Sequence, residues 1–68
     1  MRVIVNGTER ELPADATLAE AVAATGAGPQ ERGLAVALDA EVVPRERWAT
    51  TPLAPGARIE VVRASAGG

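Results

Sequence analysis

Apolar and polar residues change their spacing several times along the chain, and each change marks a new element. Arg2-Val3-Ile4-Val5-Asn6 is a β-branched run bounded by Asn6-Gly7, and Glu9-Arg10-Glu11-Leu12 resumes beyond that pair until Pro13 stops it. An Asn-Gly pair between two extended runs predicts a β-hairpin, because both residues accept the positive φ that the tight turn requires. Thr17-Leu18-Ala19-Glu20 then fits a capping box, in which the Thr17 hydroxyl accepts from the Glu20 amide and the Glu20 carboxylate reaches back. A helix therefore starts at Thr17 or Leu18. Leu18, Ala21, Val22 and Thr25 recur at helical spacing, and Gly26 supplies a left-handed cap. Isolated helices below about 12 residues hardly form in water, so this one needs a sheet beneath its narrow apolar face.

From Ala27 to Gly33 two glycines and a proline break both periods, and the segment reads as a surface loop. Leu34, Val36 and Leu38 alternate with Ala35 and Ala37 as a strand does, and Asp39-Ala40-Glu41 makes a reversal. Val42-Val43 restarts an extended segment. Pro44, which has no amide to donate, confines it to a short edge strand. Arg45 to Trp48 reads as one helical turn, Leu53 as an anchor under the following loop, and Pro55-Gly56 as a turn. Arg58-Ile59-Glu60-Val61-Val62-Arg63 is the last strand, burying Ile59 and Val61 and leaving Val62 on the opposite face. Only small residues follow.

The order strand, strand, helix, strand, short strand, strand predicts an α+β domain of β-grasp, ubiquitin-like architecture: a mixed sheet packed on one main helix, its first and last strands parallel neighbours. A ferredoxin-like domain would need a second helix, and the breakers between Ala27 and Gly33 oppose one. The expected division is a folded domain at 1–63 and a flexible Gly-Gly tail at 64–68. No internal repeat or linker interrupts it.

Composition narrows the chemistry. The chain has 68 residues, a net charge of −2 and no Cys or His, which leaves no Cys/His zinc site, thiolate nucleophile or Ser-His-Asp relay. All seven basic residues are arginines, so Schiff-base and P-loop lysines are missing too. No metal site and no catalytic residue are expected. Alanine supplies 15 of the apolar residues, and a chain this short buries only ~60% of its unfolded surface, so one small core is the limit. A single aromatic residue, Trp48, and scattered arginines provide neither a basic stripe nor a stacking platform for nucleic acid. No apolar stretch approaches the ~20 residues of a membrane span, and Met1 to Asn6 turns polar too early for a signal peptide. The expected location is the cytoplasm.

What remains is the end of the chain. Two terminal glycines alone fit a frayed end, but here they follow the last strand of a ubiquitin-like pattern after only Ala64-Ser65-Ala66. Glycine has no Cβ, so a narrow enzyme channel can enclose such an arm and present its terminal carbonyl. An α-carboxylate, with a pKa of ~3.5, is ionised at neutral pH and a poor acyl donor. ATP can activate it as an acyl-adenylate. The chain has no phosphate-binding loop, so a partner must bind the MgATP and this chain binds no cofactor itself. Without cysteine, any sulfur it carries would sit on that terminal carbonyl as a thiocarboxylate.

Val36-Ala37-Leu38-Asp39-Ala40-Glu41-Val42-Val43-Pro44-Arg45 through Trp48, then Gly56, Arg58-Ile59-Glu60-Val61-Val62 and the closing Ala66-Gly67-Gly68, resembles the thiamine-biosynthesis sulfur carrier family, ThiS. Ile4-Val5-Asn6-Gly7 and the Thr17-Leu18 helix start extend the likeness to nearly the whole chain; Asp39, Ala57 and Ser65 depart from its usual residues. The resemblance implies a β-grasp carrier, not an enzyme. Gly68 would be adenylated by a ThiF-type adenylyltransferase, converted to a thiocarboxylate with sulfur from a cysteine desulfurase, and used by a ThiG-type thiazole synthase. Gly67, Ala66 and Ser65 would enter the partners' active sites. A molybdopterin-type sulfur carrier shares fold, tail and activation, although it usually carries early aromatic residues that are missing here. A ubiquitin-like modifier or a plain binding module is the alternative of a different class.

The partner interface has further candidates. Val43 and Val62 qualify if they lie on the sheet face away from the helix, since one helix cannot cover both faces. Arg58 and Arg63 flank the last strand and are placed to orient the tail. Trp48 is either a partner contact or the largest filler of the core, the commoner role of a lone Trp in so small a domain.

Overall fold

The computed structural model describes residues 1–28 and 30–63; the expected tail at 64–68 lies outside the described residues. The elements are β1 (Arg2–Val5), β2 (Thr8–Glu11), α1 (Leu18–Ala24), β3 (Leu34–Leu38), β4 (Glu41–Val42), a 3-10 helix (Arg45–Thr50) and β5 (Arg58–Arg63). They form one sheet in the order β2-β1-β5-β3-β4, in which β1 and β5 are parallel and every other pair antiparallel. The α+β arrangement of a mixed sheet on one main helix is the one the apolar spacing predicts.

Both hairpins turn on two residues of positive φ. Asn6 and Gly7 stand at φ 50° and 80°, and Val5 pairs with Thr8. Asp39 and Ala40 stand at φ 48° and 71°, and Leu38 pairs with Glu41. The reversal after β3 is thus one residue shorter than the sequence reading has it. Since side chains alternate at every step, that single residue decides which face each β4 side chain takes.

Each turn also holds β5 from one side. The Asn6 side chain accepts from the Val61 amide at 2.8 Å and donates to the Val61 carbonyl at 3.3 Å. On the other flank Asp39 accepts from the Arg58 amide at 2.9 Å, while its own amide donates to the Arg58 carbonyl at 2.8 Å. The outer edge is β2, whose residues are all exposed. Arg2 on β1 faces Glu9 and Glu11 across the strands, at 3.7 and 3.5 Å, and this charged rim discourages edge-to-edge pairing with another chain.

The helix begins as its capping sequence predicts. Glu20 accepts from the Thr17 amide at 3.2 Å, and the Glu20 amide donates to the Thr17 carbonyl at 3.0 Å. An unpaired amide of the first turn finds a partner elsewhere: Leu18 N–H donates to the Thr51 carbonyl at 2.9 Å. Gly26, at φ 89°, ends the helix. Leu18, Ala21 and Val22 meet Val3, Val5, Val36 and Ile59 from the sheet, with Trp48, Leu53 and Ala57 closing the side. No polar or charged residue is buried among the described residues.

Candidate functional site

The candidates fall in two regions: the end of β5, which precedes residues 64–68 in the chain, and the sheet face that the helix leaves open. Ser65, Ala66, Gly67 and Gly68 lie outside the described residues; what the structure describes is their base in the chain, the end of β5.

That base is the last rung of the β3–β5 ladder, where Arg63 pairs with Leu34. The Arg63 side chain crosses to the loop before β3, its Nε donating to Glu31 Oε2 at 2.6 Å and its Nη2 to Oε1 at 3.4 Å. The same carboxylate accepts from the Gly28 amide at 3.3 Å, and the Glu31 amide returns a bond to the Gly28 carbonyl at 3.1 Å. The Glu31 carbonyl accepts from the Arg45 guanidinium, which lies 4.6 Å from the centre of the Trp48 ring. One acidic residue therefore joins the loop, the 3-10 helix and the end of β5. Its Arg63 hydrogen bond holds the Glu31 carboxyl below its ordinary value; partial desolvation opposes this, and the Gly28 amide and the charges of Arg63 and Arg45 add to the lowering.

Arg58 is placed otherwise. It opens β5, so about 17 Å of strand separates it from Arg63. Its backbone serves the Asp39 clamp, and of the two arginines only Arg63 adjoins residues 64–68 in the chain.

The open face is a small apolar patch. Ala35 lies opposite Val62, and Ala37 lies between Val42 and Glu60, so these cross-strand neighbours share one side of the sheet. Val42 is 76% exposed and Val62 58%. Val62 is thus where the sequence reading puts it. Val43 is not, because the two-residue turn shifts the phase of β4: Val42 takes the open face, and Val43 packs against the core. Trp48 is also drawn inward. Only 6% exposed, it donates from Nε1 to the Val43 carbonyl at 2.8 Å, which makes it the core filler and removes it from the candidate interface.

Glu31 and Val42 were missed by the sequence reading. Nothing in the broken pattern of 27–33 distinguishes Glu31 from a solvated loop residue. Val42 was detectable, had Asp39-Ala40 been taken as a complete two-residue turn.

Among the described residues no cluster of acidic side chains could hold a metal ion, and no helix is long and apolar enough to cross a membrane. A hairpin leading into one helix, with a later strand returning parallel to the first at the centre of a mixed sheet, defines a ubiquitin-like β-grasp domain. The chain matches the ThiS family over residues 3–68 and belongs to that family, whose members are small carrier proteins rather than catalysts. Its fold is similar to the crystal structure of the thiamine biosynthesis protein ThiS from Geobacter metallireducens, at a TM-score of 0.78 and 26% identity over 100% of both chains. It is also similar to the solution structure of a thiamine biosynthesis protein from the same organism, at a TM-score of 0.75 and 26% identity, covering 100% of this chain and 88% of that one. No protein among the curated sequences compared matches the chain.

Proposed function

We infer that this chain carries sulfur as a thiocarboxylate on Gly68 and donates it to form the thiazole of thiamine. The observation that supports this most is that the family match runs through the final Gly67-Gly68 pair.

The chemistry acts on the backbone carboxylate. A Gly68 oxygen attacks the α-phosphorus of ATP bound as its magnesium complex by a ThiF-type partner; pyrophosphate leaves and an acyl-adenylate forms. A persulfide whose sulfur comes from a cysteine desulfurase then attacks the acyl carbon and expels AMP. A second thiol cleaves the resulting acyl disulfide, leaving the thiocarboxylate on Gly68 and a disulfide as the oxidised product. A ThiG-type thiazole synthase receives the sulfur. The chain contributes the slender arm formed by Ser65, Ala66 and Gly67, and a rigid body that partners can grip, with Val42 and Val62 on its apolar face and Arg63 at the base of the arm. The cytoplasm is the location that goes with this reading.

The test is intact-protein mass spectrometry after incubation with the adenylating enzyme, MgATP, a cysteine desulfurase, cysteine and a thiol reductant. A mass gain equal to replacing one oxygen by sulfur, localised to Gly68 and missing when Gly68 is deleted, is the expected result. An unchanged mass with an enzyme that adenylates an authentic carrier rules the reading out.

A further inference from the structure

We propose that Glu31 is a positioning residue for the tail: by gripping Arg63 it sets the direction in which the chain leaves β5, and so how readily the terminal carboxylate reaches a partner's active site. The inference rests on the carrier reading above and adds a residue that lies in neither the tail nor the sheet.

The argument starts from where the ladder stops. β3 begins at Leu34, whose partner is Arg63, and just before it Gly33 takes φ 76°. Among the described residues Leu34–Arg63 is the last rung of that ladder. The last rung of a strand is where pairing opens most easily, because its bonds are exposed and flanked on one side only. A side-chain clamp at that rung resists the opening, and the Glu31 carboxylate supplies one from a residue 32 positions away in sequence.

The anchor of that clamp is itself fixed. Glu31 is tied to Gly28 by two hydrogen bonds and to Arg45 through its carbonyl, and Arg45 lies over the buried Trp48. A loop tethered to the core through Trp48 can transmit the position of the body to Arg63. A loop free in solvent could not.

The consequence for a carrier is entropic. A tail that leaves the body over a narrower range of directions loses less freedom on entering a channel, so productive docking is favoured without any new contact with the partner. Once the tail is bound the chemistry is unchanged. The effect therefore belongs in KM for the carrier and not in kcat. The pair is partly exposed, with side chains 56% and 30% accessible, and exposed ion pairs are worth little, so loss of the clamp should raise KM about two- to fivefold.

The test uses the full chain as the varied substrate in thiocarboxylate formation, with Glu31→Ala, Arg63→Ala, the double variant and the charge-swapped Glu31→Arg/Arg63→Glu. Amide order parameters at Arg63 are measured by NMR on the same proteins. The expected result for Glu31→Ala is a higher KM, an unchanged kcat and a lower order parameter at Arg63. The double variant should be no worse than Arg63→Ala, and the swapped pair should recover part of the loss. An unchanged KM, additive single effects, or an Arg63 order parameter that ignores Glu31 overturns the proposal. If the wild-type chain forms no thiocarboxylate, the carrier reading fails by itself, and the order parameter still decides whether the clamp exists.

Discussion

Asn6 and Val61, 55 positions apart in sequence, exchange two hydrogen bonds, the Asn6 side chain accepting at 2.8 Å and donating at 3.3 Å. A hairpin turn thereby stitches itself to the last strand, and the parallel β1–β5 pair gains a connection beyond its own ladder. Asn also suits the site because its short polar side chain tolerates the left-handed conformation found there, φ 50°. Asn6→Ala loses both bonds and strains the turn, an expected cost of about 1–3 kcal/mol. Asn6→Gly loses the bonds but accepts the backbone, and should fall between Ala and wild type in urea denaturation.

Ala40 is the weak residue of the other turn. It holds φ 71° with a Cβ that opposes that conformation, at a cost of about 1–2 kcal/mol. Glycine would relieve the strain while gaining more freedom in the unfolded chain, which offsets about 0.4–1 kcal/mol. The balance predicts that Ala40→Gly stabilises the domain by about 0.5–1 kcal/mol, raising the thermal midpoint by several degrees. A lower midpoint would show that the turn is not strained.

Trp48 should behave as a core residue. Trp48→Ala is expected to cost about 3–5 kcal/mol, a large part of the roughly 3–10 kcal/mol that a chain of this size has in total, so much of the protein would be unfolded at 37 °C. Trp48→Phe keeps the ring but leaves the Val43 carbonyl without its 2.8 Å donor, for about 1–2 kcal/mol. Circular dichroism across a urea series separates the two.

The Glu31–Arg63 pair predicts a pH dependence. The carboxyl is lowered from its ordinary 4.5 in the folded chain, so its stabilisation is fully present above the unfolded pKa and is lost as pH falls through the lower folded value. The gap in unfolding midpoint between wild type and Glu31→Gln should be present at neutral pH and close as the pH drops below 4.5. A gap that persists in strong acid would mean that the carboxylate charge is not its source.

Val62, 58% exposed on the open face, separates folding from docking. Val62→Arg should change stability by less than about 1 kcal/mol. In thiocarboxylate formation it should raise KM for the carrier at least about fivefold, because a charge must be desolvated in an apolar contact. An unchanged KM would show that the partner grips another face.

The Asn6-Gly7 turn, the Thr17–Glu20 helix start, the Gly26 cap and the alternation of β3 and β5 were all legible in the sequence, because each is decided within a few residues by backbone preference and apolar spacing. Contacts between distant residues were not legible. Val42 and Val43 are adjacent and identical, and only the length of the Asp39-Ala40 turn sends one outward and the other inward. Glu31 gained its partners when a loop with no period was laid against the end of β5. Local stereochemistry determined the elements and their order; tertiary packing, which brings together residues far apart in sequence, decided the faces and the clamps.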